Sequence, residues 1–342
     1  MHKTNKIAVE HLYKIFGQAP EEGLARVKEG VGKHDLMTQY GHVLGLYDIN
    51  LTIASQEIFV VMGLSGSGKS TLIRHFNRLI DPTSGSIHID GENILALSRK
   101  ELSAFRREKM SMVFQHFALF PHRTILQNVG YGLGIQGKSK QETIDHARMW
   151  IQQVGLEGCE DQYPSQLSGG MQQRVGLARA LASDTEILLM DEAFSALDPL
   201  IRAQMQGRLL ELQAEWHKTI VFITHDLDEA LKLGDTIAIL KDGQIVQQGD
   251  PQDIVMHPAD DYIADFVKDI NRARVIRARS VMVPAEPHDA PLAQVDVQDN
   301  LETVLAAIKG DPQGCIGVTQ QGKTVGVITA RILLEALQAQ AS

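Results

Sequence analysis

Apolar residues fall in short uninterrupted runs along this chain, separated by stretches of helical spacing. EIFVVM (57–62), EILLMDE (186–192) and TIVFITH (219–225) are β-rich and apolar on both faces, which predicts strands buried within a sheet. IAVEHLYKIF (7–16) alternates in part and predicts a first edge strand, and GHVLGLYDINLTI (41–53) returns to strand character. MSMVFQ (110–115) predicts another strand. SGSIHIDGENI (84–94) and TIAILKDGQIVQQG (236–249) break at Asp90-Gly91 and Asp242-Gly243, the dipeptide of tight hairpins. Helical spacing covers TLIRHFNRLI (71–80), which Asp81-Pro82 stops. It returns at 98–109, where Ser98 and Glu101 form a capping-box pattern, over most of 122–184, at 199–216, and on to about residue 270. Residues 18–39 are polar, charged and rich in helix formers, and predict one helix with loops. Strands alternating with helices in this way predict an α/β fold.

A seam follows. Lys268, Arg272, Arg274, Arg277 and Arg279 crowd residues 268–279, and Pro284, Pro287 and Pro291 favour an extended connector, so 271–291 is expected as a linker. The arginine run has two readings: a solvated linker, or a contact for anionic lipid headgroups that weakens with salt. Beyond it NLETVLAAI, CIGVTQ, KTVGVIT and ARILLEALQ spell helix, strand, strand, helix, a small α+β domain over 292–342 that is marginal alone.

Composition narrows the class without naming it. The 342 residues allow two or three domains. A net charge of −9 and a pI near 5.8 give a nucleic-acid partner no electrostatic encouragement. The two cysteines, Cys159 and Cys315, lack metal-site spacing and are expected as free thiols in a reducing cytosol. No apolar run approaches the roughly 20 residues that span a bilayer, and the N-terminus has no secretory apolar segment. Peripheral attachment to a membrane complex stays open.

The chemistry begins at GLSGSGKS, residues 63–70, which matches G-x-x-x-x-G-K-[ST] between a strand and a helix. The backbone of Gly63, Leu64, Ser65, Gly66, Ser67 and Gly68 is expected to wrap an anion with its N–H groups. Lys69 supplies a point charge for the outer phosphates, and the Ser70 hydroxyl is placed to ligate Mg2+. Thr71 opens the helix, whose positive end faces the phosphates. ILLMDE ends in Asp191 and Glu192, carboxylates at the C-terminal edge of the sheet. Asp191 would hold Mg2+ through its water shell; Glu192 would act on the attacking water as general base, or polarise it. A second anion-binding end appears at QLSGGMQQR, where Ser168 caps a helix and Gly169 and Gly170 let backbone N–H groups approach a ligand.

Residue for residue, LSGGMQQR resembles the signature of ATP-binding-cassette ATPases. Gln115 resembles that family's Q-loop glutamine, which contacts Mg2+ and water; SALD (195–198), ending in Asp198, resembles the D-loop; His225 resembles the switch histidine at the γ-phosphate. The resemblance implies a P-loop NTPase fold, with a RecA-like core, an antiparallel β subdomain and a helical subdomain at about 116–184, all within 1–270. It implies a homodimer in which ATP lies between one subunit's phosphate loop and the partner's Ser168, Gly169, Gly170 and Gln172. It also implies an aromatic residue stacked on adenine: Tyr40 has suitable spacing and is favoured, Phe16 has the local context. IFVVMGLSGSGKSTLIRHFNRLIDPTSG and FQHFALFPHRTILQNV resemble the ATP-binding subunits of glycine betaine/proline betaine importers. Such subunits work with integral-membrane permease subunits and, indirectly, a substrate-binding protein, peripherally at the cytoplasmic face of the inner membrane. IGVTQQGKTVGVITARILLEAL resembles a single cystathionine-β-synthase-type (CBS) module. The competing classes are a soluble cassette ATPase of repair or translation, an importer for another small solute, and a purely regulatory module.

Overall fold

The computed structural model describes residues 4–285, 291, 293–308 and 315–338. The chain opens with β1 (Asn5–Phe16), the helices α1 (Pro20–Lys28) and α2 (Lys33–Tyr40), and β2 (Val43–Ala54). β3 (Ile58–Met62) runs through the phosphate loop into α3 (Lys69–Phe76). The hairpin of β4 (Ser84–Ile89) and β5 (Glu92–Asn93) precedes α4 (Arg99–Lys109) and β6 (Met110–Val113). A helical stretch holds α5 (Ile125–Val129), α6 (Tyr131–Ile135), α7 (Lys140–Gln153) and α8 (Gly169–Ala182). Then come β7 (Ile187–Asp191), α9 (Pro199–Trp216), β8 (Thr219–Thr224), α10 (Leu227–Leu233), β9 (Thr236–Lys241) and β10 (Gln244–Gly249). The remainder is α11 (Pro251–Met256), α12 (Asp261–Val267), α13 (Arg272–Val275), α14 (Ala278–Val281), β11 (Ala293–Asp296), α15 (Leu301–Ile308), β12 (Cys315–Gln320), β13 (Lys323–Thr329) and α16 (Ala330–Leu337).

Two sheets share one core. The larger runs β10-β9-β3-β8-β7-β6, and β3, β6, β7, β8 and β9 pair in parallel. Its central strands are buried along their whole length, as their unbroken apolar runs require. The smaller sheet, β2-β1-β4-β5, is antiparallel. β1 is therefore not an edge strand: it pairs with β2 on one side and β4 on the other. Its alternation reports which face is buried, and says nothing of how many neighbours it has. Ile7, Leu12, Ile49, Ile53 and Ile87 from this sheet meet Phe59, Val61, Leu189, Ile223 and Phe76 across the core. The capping box of α4 forms, with Ser98 N–H donating to Glu101 Oε2 at 2.8 Å and Glu101 N–H to Ser98 Oγ at 3.4 Å.

The 18–39 segment holds two helices rather than one. Gly30 breaks them at φ +96°, which a residue with a Cβ seldom adopts. They carry a satellite core of Leu24, Val27 and Leu36 packed on Ile15 and Leu44. His42 bonds the Ala19 carbonyl through Nε2 at 2.9 Å and closes the excursion at its base.

The structure divides into two compact units. One takes the chain to Asp226 and again Leu233–Val246; the other holds Leu227–Lys232 and the chain from Gln247 onward. The second unit contains the sheet β11-β12-β13, with β11 parallel and β13 antiparallel to β12. β11 has no counterpart in the helix–strand–strand–helix pattern expected from sequence. Residues 271–285 are not extended: α13 and α14 lie there, and Ile276 and Ala278 are fully buried. Pro287 lies outside the described residues. The arginines of this stretch have partners within the unit. Arg272 donates to the carbonyls of Ala336 (2.9 Å) and Val255 (3.2 Å), and Arg277 to the Gln298 side chain. Arg274 faces Glu302 at 3.5 Å and Arg279 faces Asp250 at 3.2 Å. Two of these four arginines thus face carboxylates and two bond neutral oxygens within their own unit. Among the described residues no helix is long and apolar enough to cross a membrane.

Two predictions follow from this packing. Leu36 is fully buried in the satellite core, so Leu36→Ala should cost about 2–5 kcal/mol locally. Hydrogen exchange should speed up over residues 20–40 and stay slow in β3 and β8. His75 on α3 is also fully buried; it is bonded to the Thr71 carbonyl, and burial holds its pKa down at about 4 against the usual 6.5. The unfolded chain takes up a proton below about pH 6.5 that the folded one refuses, so stability falls by about 3 kcal/mol as pH drops from 6.5 to 4. Denaturant titrations at both ends of that window should show the loss in wild type and not in His75→Leu.

Candidate functional site

Strand register assembles the site. Met62 lies opposite Thr224, and Ile223 opposite Asp191, in adjacent parallel strands. The phosphate loop after β3, Glu192 after β7 and His225 after β8 therefore leave the sheet at one level, at its C-terminal edge. The phosphate loop and Glu192 border a cleft of about 310 Å3. One wall is Ser65, Gly66, Gly68, Lys69, Ser70 and Thr71; the other includes Phe16 and Gly45, with Gln115 and Glu192 at the end.

The loop's shape depends on contacts that exclude side chains. A Cβ on Gly63 would sit 2.2 Å from the Leu240 carbonyl oxygen, and one on Gly68 2.8 Å from the Gly45 carbonyl oxygen. Ser67 is buried and accepts the Gly243 N–H on its carbonyl at 2.9 Å. Leu64, by contrast, points outward. Gly68 caps α3 without a side chain, so the first-turn N–H groups are left for a ligand. Lys69 is buried and donates to the carbonyls of Gly63 (2.8 Å) and Leu64 (3.0 Å), and burial lowers its pKa against the opposing pull of Glu192 and Asp191.

Behind the loop, Ser70 Oγ donates to Asp191 Oδ1 at 2.9 Å, and Arg74 stands 3.5 Å from Oδ2. Asp191 has no exposed surface; burial pushes its pKa up, and Ser70 and Arg74 oppose that. Glu192 adopts φ +47°, a left-handed conformation rare for a residue with a Cβ. The strain is held by the Glu192 N–H on the Ile223 carbonyl, and by Ser195 Oγ and Gln173 Nε2 donating to the Glu192 carbonyl. Its carboxylate receives Gln115 Nε2 at 2.9 Å and lies 3.4 Å from His225 Nδ1. Gln115 donates through nitrogen, which leaves its amide oxygen for a cation. Ser70, Gln115 and Asp191 make an all-oxygen donor set, the kind a hard divalent ion prefers.

Sequence reasoning missed Gln173. It is almost fully buried, donates to the Glu192 carbonyl at 3.2 Å and accepts the Ala196 N–H at 2.9 Å, so it joins α8 to the exit of β7. The signal was visible as a polar residue at a helix-facing position beside Gln172, but which of two adjacent glutamines points inward depends on the helix phase. Gln172 itself spends its amide on the carbonyls of Pro164 and Leu167, both at 3.1 Å, and holds its own loop. Ser168 caps α8 by accepting the Met171 N–H at 3.3 Å; Ser168, Gly169, Gly170 and Asp198 do not line the cleft of their own chain. Asp198 caps α9 through the Ile201 N–H at 3.0 Å.

The adenine-stacking expectation needs correction. Tyr40 is not part of the cleft, and the Arg26 guanidinium covers its ring at 3.9 Å. Phe16 does line the cleft, and its ring lies so close over Gly45 that a Cβ there would be 2.6 Å from it. The spacing from Tyr40 to the loop was misleading because α2 turns that residue away.

The family model described as ABC transporter matches residues 46–195. The chain is 55% identical to the glycine betaine/carnitine transport ATP-binding protein of Listeria monocytogenes, over 82% of this chain and 71% of that one. It is 50% identical to the glycine betaine transport ATP-binding protein of Bacillus subtilis, over 96% and 77%. It is 46% identical to the trimethylamine N-oxide transport system ATP-binding protein of Ruegeria pomeroyi, over 91% and 94%. Among solved structures it is similar to a dimeric bacterial ABC transporter cassette, with TM-score 0.63 and 32% identity over 72% of this chain and 98% of that one. The same figures hold for a dimeric post-hydrolysis cassette bound to ADP and Pi.

Proposed function

This chain belongs to the ABC transporter family, and from that premise we propose that it is the ATP-hydrolysing subunit of an importer for methylated-ammonium osmolytes such as glycine betaine and proline betaine. The observation that carries the proposal is the cleft, where a phosphate loop faces a strained Glu192 clamped between Gln115 and His225. The loop N–H groups and Lys69 bind the phosphates of ATP, and the Phe16 ring stacks on the adenine. Glu192 takes the proton of the attacking water, and His225 contacts the γ-phosphate. Ser70, Gln115 and Asp191 would hold Mg2+, which would neutralise phosphate charge there.

Ser168, Gly169 and Gly170 serve the nucleotide of a second copy, because they lie outside their own chain's cleft at the N-terminal, positive end of α8. Gln172 is left out of that set, since its amide is spent on its own loop. Hydrolysis thus belongs to a head-to-tail homodimer, and Asp198 lies on the D-loop between the copies. A separate groove of about 320 Å3, lined by Phe114, Phe120, Tyr131, Ile135 and Arg179, suits an apolar helix end of a membrane permease subunit. The protein then works peripherally at the cytoplasmic face of the inner membrane, with a substrate-binding protein acting through the permease. By function the cassette extends to residue 270, 271–291 is the join, and 292–342 forms a single CBS-type module.

A second reading, import of trimethylamine N-oxide, is favoured by length: the Ruegeria pomeroyi relative is covered over 94% of its chain, the betaine relatives over 71% and 77%. ATPase assays of the complex reconstituted with its membrane subunits and binding protein separate the two. Betaine stimulation supports the first reading and trimethylamine N-oxide stimulation the second; response to neither overturns both. Glu192→Gln should lower hydrolysis by about 100-fold or more and leave the ATP dissociation constant within about twofold of wild type, read by phosphate release and calorimetry.

A further inference from the structure

The inserted helices bring a charge to the cleft that no phosphate-loop motif accounts for. Lys33, the first residue of α2, lines the cleft with Phe16, Val43, Leu44 and Gly45. Lys69 is the other cation of that lining, and it is already bonded to two carbonyls of the loop. Lys33 is less committed. Its ammonium meets Asp242 at 2.9 Å, and the two side chains are 39% and 65% exposed. A pair so exposed contributes little and gives way readily to a stronger anion. A polyphosphate is such an anion, with several oxygens for one ammonium.

Packing, not the ion pair, fixes where Lys33 stands. Leu36 lies one turn further along α2, fully buried against Leu24, Val27, Ile15 and Leu44. Leu44 and Gly45, from the strand that Leu36 packs on, line the cleft themselves. Asp242 is fixed as well: its neighbour Gly243 donates to the Ser67 carbonyl and accepts the Tyr47 N–H at 2.8 Å. The pair thus spans from the insertion to the hairpin that buttresses the phosphate loop.

The geometry points to Lys33 as a nucleotide-binding residue, whose ammonium leaves Asp242 for a phosphate oxygen of bound ATP or ADP on the nucleoside side of the loop. Phe16 and Gly45 then flank the base and sugar, Lys33 the inner phosphates, and Lys69 the outer ones. The inference rests on the cleft being the ATP site.

Calorimetric titration of the full chain with ATP, ADP and adenosine tests it. Lys33→Met keeps the methylene stem and removes the charge. It should raise the dissociation constants of ATP and ADP by about 5- to 10-fold and leave adenosine within about twofold. The wild-type salt dependence of ATP binding should also flatten in this variant. Lys33→Arg should stay near wild type, and Asp242→Asn should leave ATP binding equal or tighter. ATP affinity within about twofold of wild type for Lys33→Met overturns the inference. So does equal weakening by Lys33→Met and Asp242→Asn, the mark of a pair that only braces the fold. Failure of the wild-type chain to bind ATP would instead bring down the cleft assignment, and this inference with it.

Discussion

A Cβ at Gly63 would stand 2.2 Å from the Leu240 carbonyl oxygen, and Cβ atoms at Gly68 and Gly243 would each stand 2.8 Å from the Gly45 carbonyl oxygen. Backbone from β2, the phosphate loop and the β9–β10 hairpin therefore meets at distances that only glycine allows. The loop is not a flexible tether between a strand and a helix. It is wedged between two other segments, which hold its backbone in one shape. An anion site built this way loses little on binding, because the cost of ordering the loop was met in folding. Phe16 depends on the same meeting point, since its ring lies over Gly45.

Charge is arranged around that fixed loop in two layers. Asp191 is completely buried, and burial works against its ionisation; the Ser70 hydroxyl and the Arg74 guanidinium work for it. Its carboxylate is thus poised for a further positive charge, and the Ser70 hydroxyl lies beside it at 2.9 Å. Glu192 sits nearer the surface and is oriented by its backbone, left-handed at φ +47°. Four hydrogen bonds on its N–H and carbonyl hold that conformation, from the Ile223 carbonyl, the Ser195 N–H and hydroxyl, and Gln173. Orientation is what proton abstraction requires, and strain so well supported marks a place where geometry was favoured over relaxation.

Much of this was legible before the structure. The phosphate loop, the Asp191-Glu192 pair and the signature stretch are local patterns whose mechanics lie in consecutive residues, and the apolar runs of β3, β7 and β8 leave little alternative to burial. The misjudged features are non-local. Phe16 and Tyr40 are both aromatics upstream of the loop, and only the turn at Gly30, which folds α2 back onto β2, separates their fates. β1 alternates like an edge strand, yet pairing on both sides is invisible in one strand's pattern. The arginines of 272–279 look like a free cationic run, and their partners Val255, Ala336, Gln298, Glu302 and Asp250 are scattered over the rest of the unit. Gln173 escaped notice because its partners lie about twenty residues on.

Gln173 has a consequence for how two sites in one chain communicate. Ser168 caps the N-terminus of α8, and on the proposed reading that end meets a nucleotide held by the partner copy. Gln173 lies on the same helix less than two turns later and grips the Glu192 carbonyl and the Ala196 N–H. A helix moves as a rigid body over so short a span, and the side chain is too buried to swing free. On the proposed reading, a displacement of Ser168 by a nucleotide in the partner's cleft would be passed to the backbone that orients this chain's Glu192 and to the turn leading to Asp198. On that reading the two phosphate-binding ends of one chain serve different nucleotides, and one buried amide links them. On the same reading, such a link would favour both clefts closing together over either closing alone, and would tie hydrolysis to the assembled dimer through a contact wholly inside one subunit.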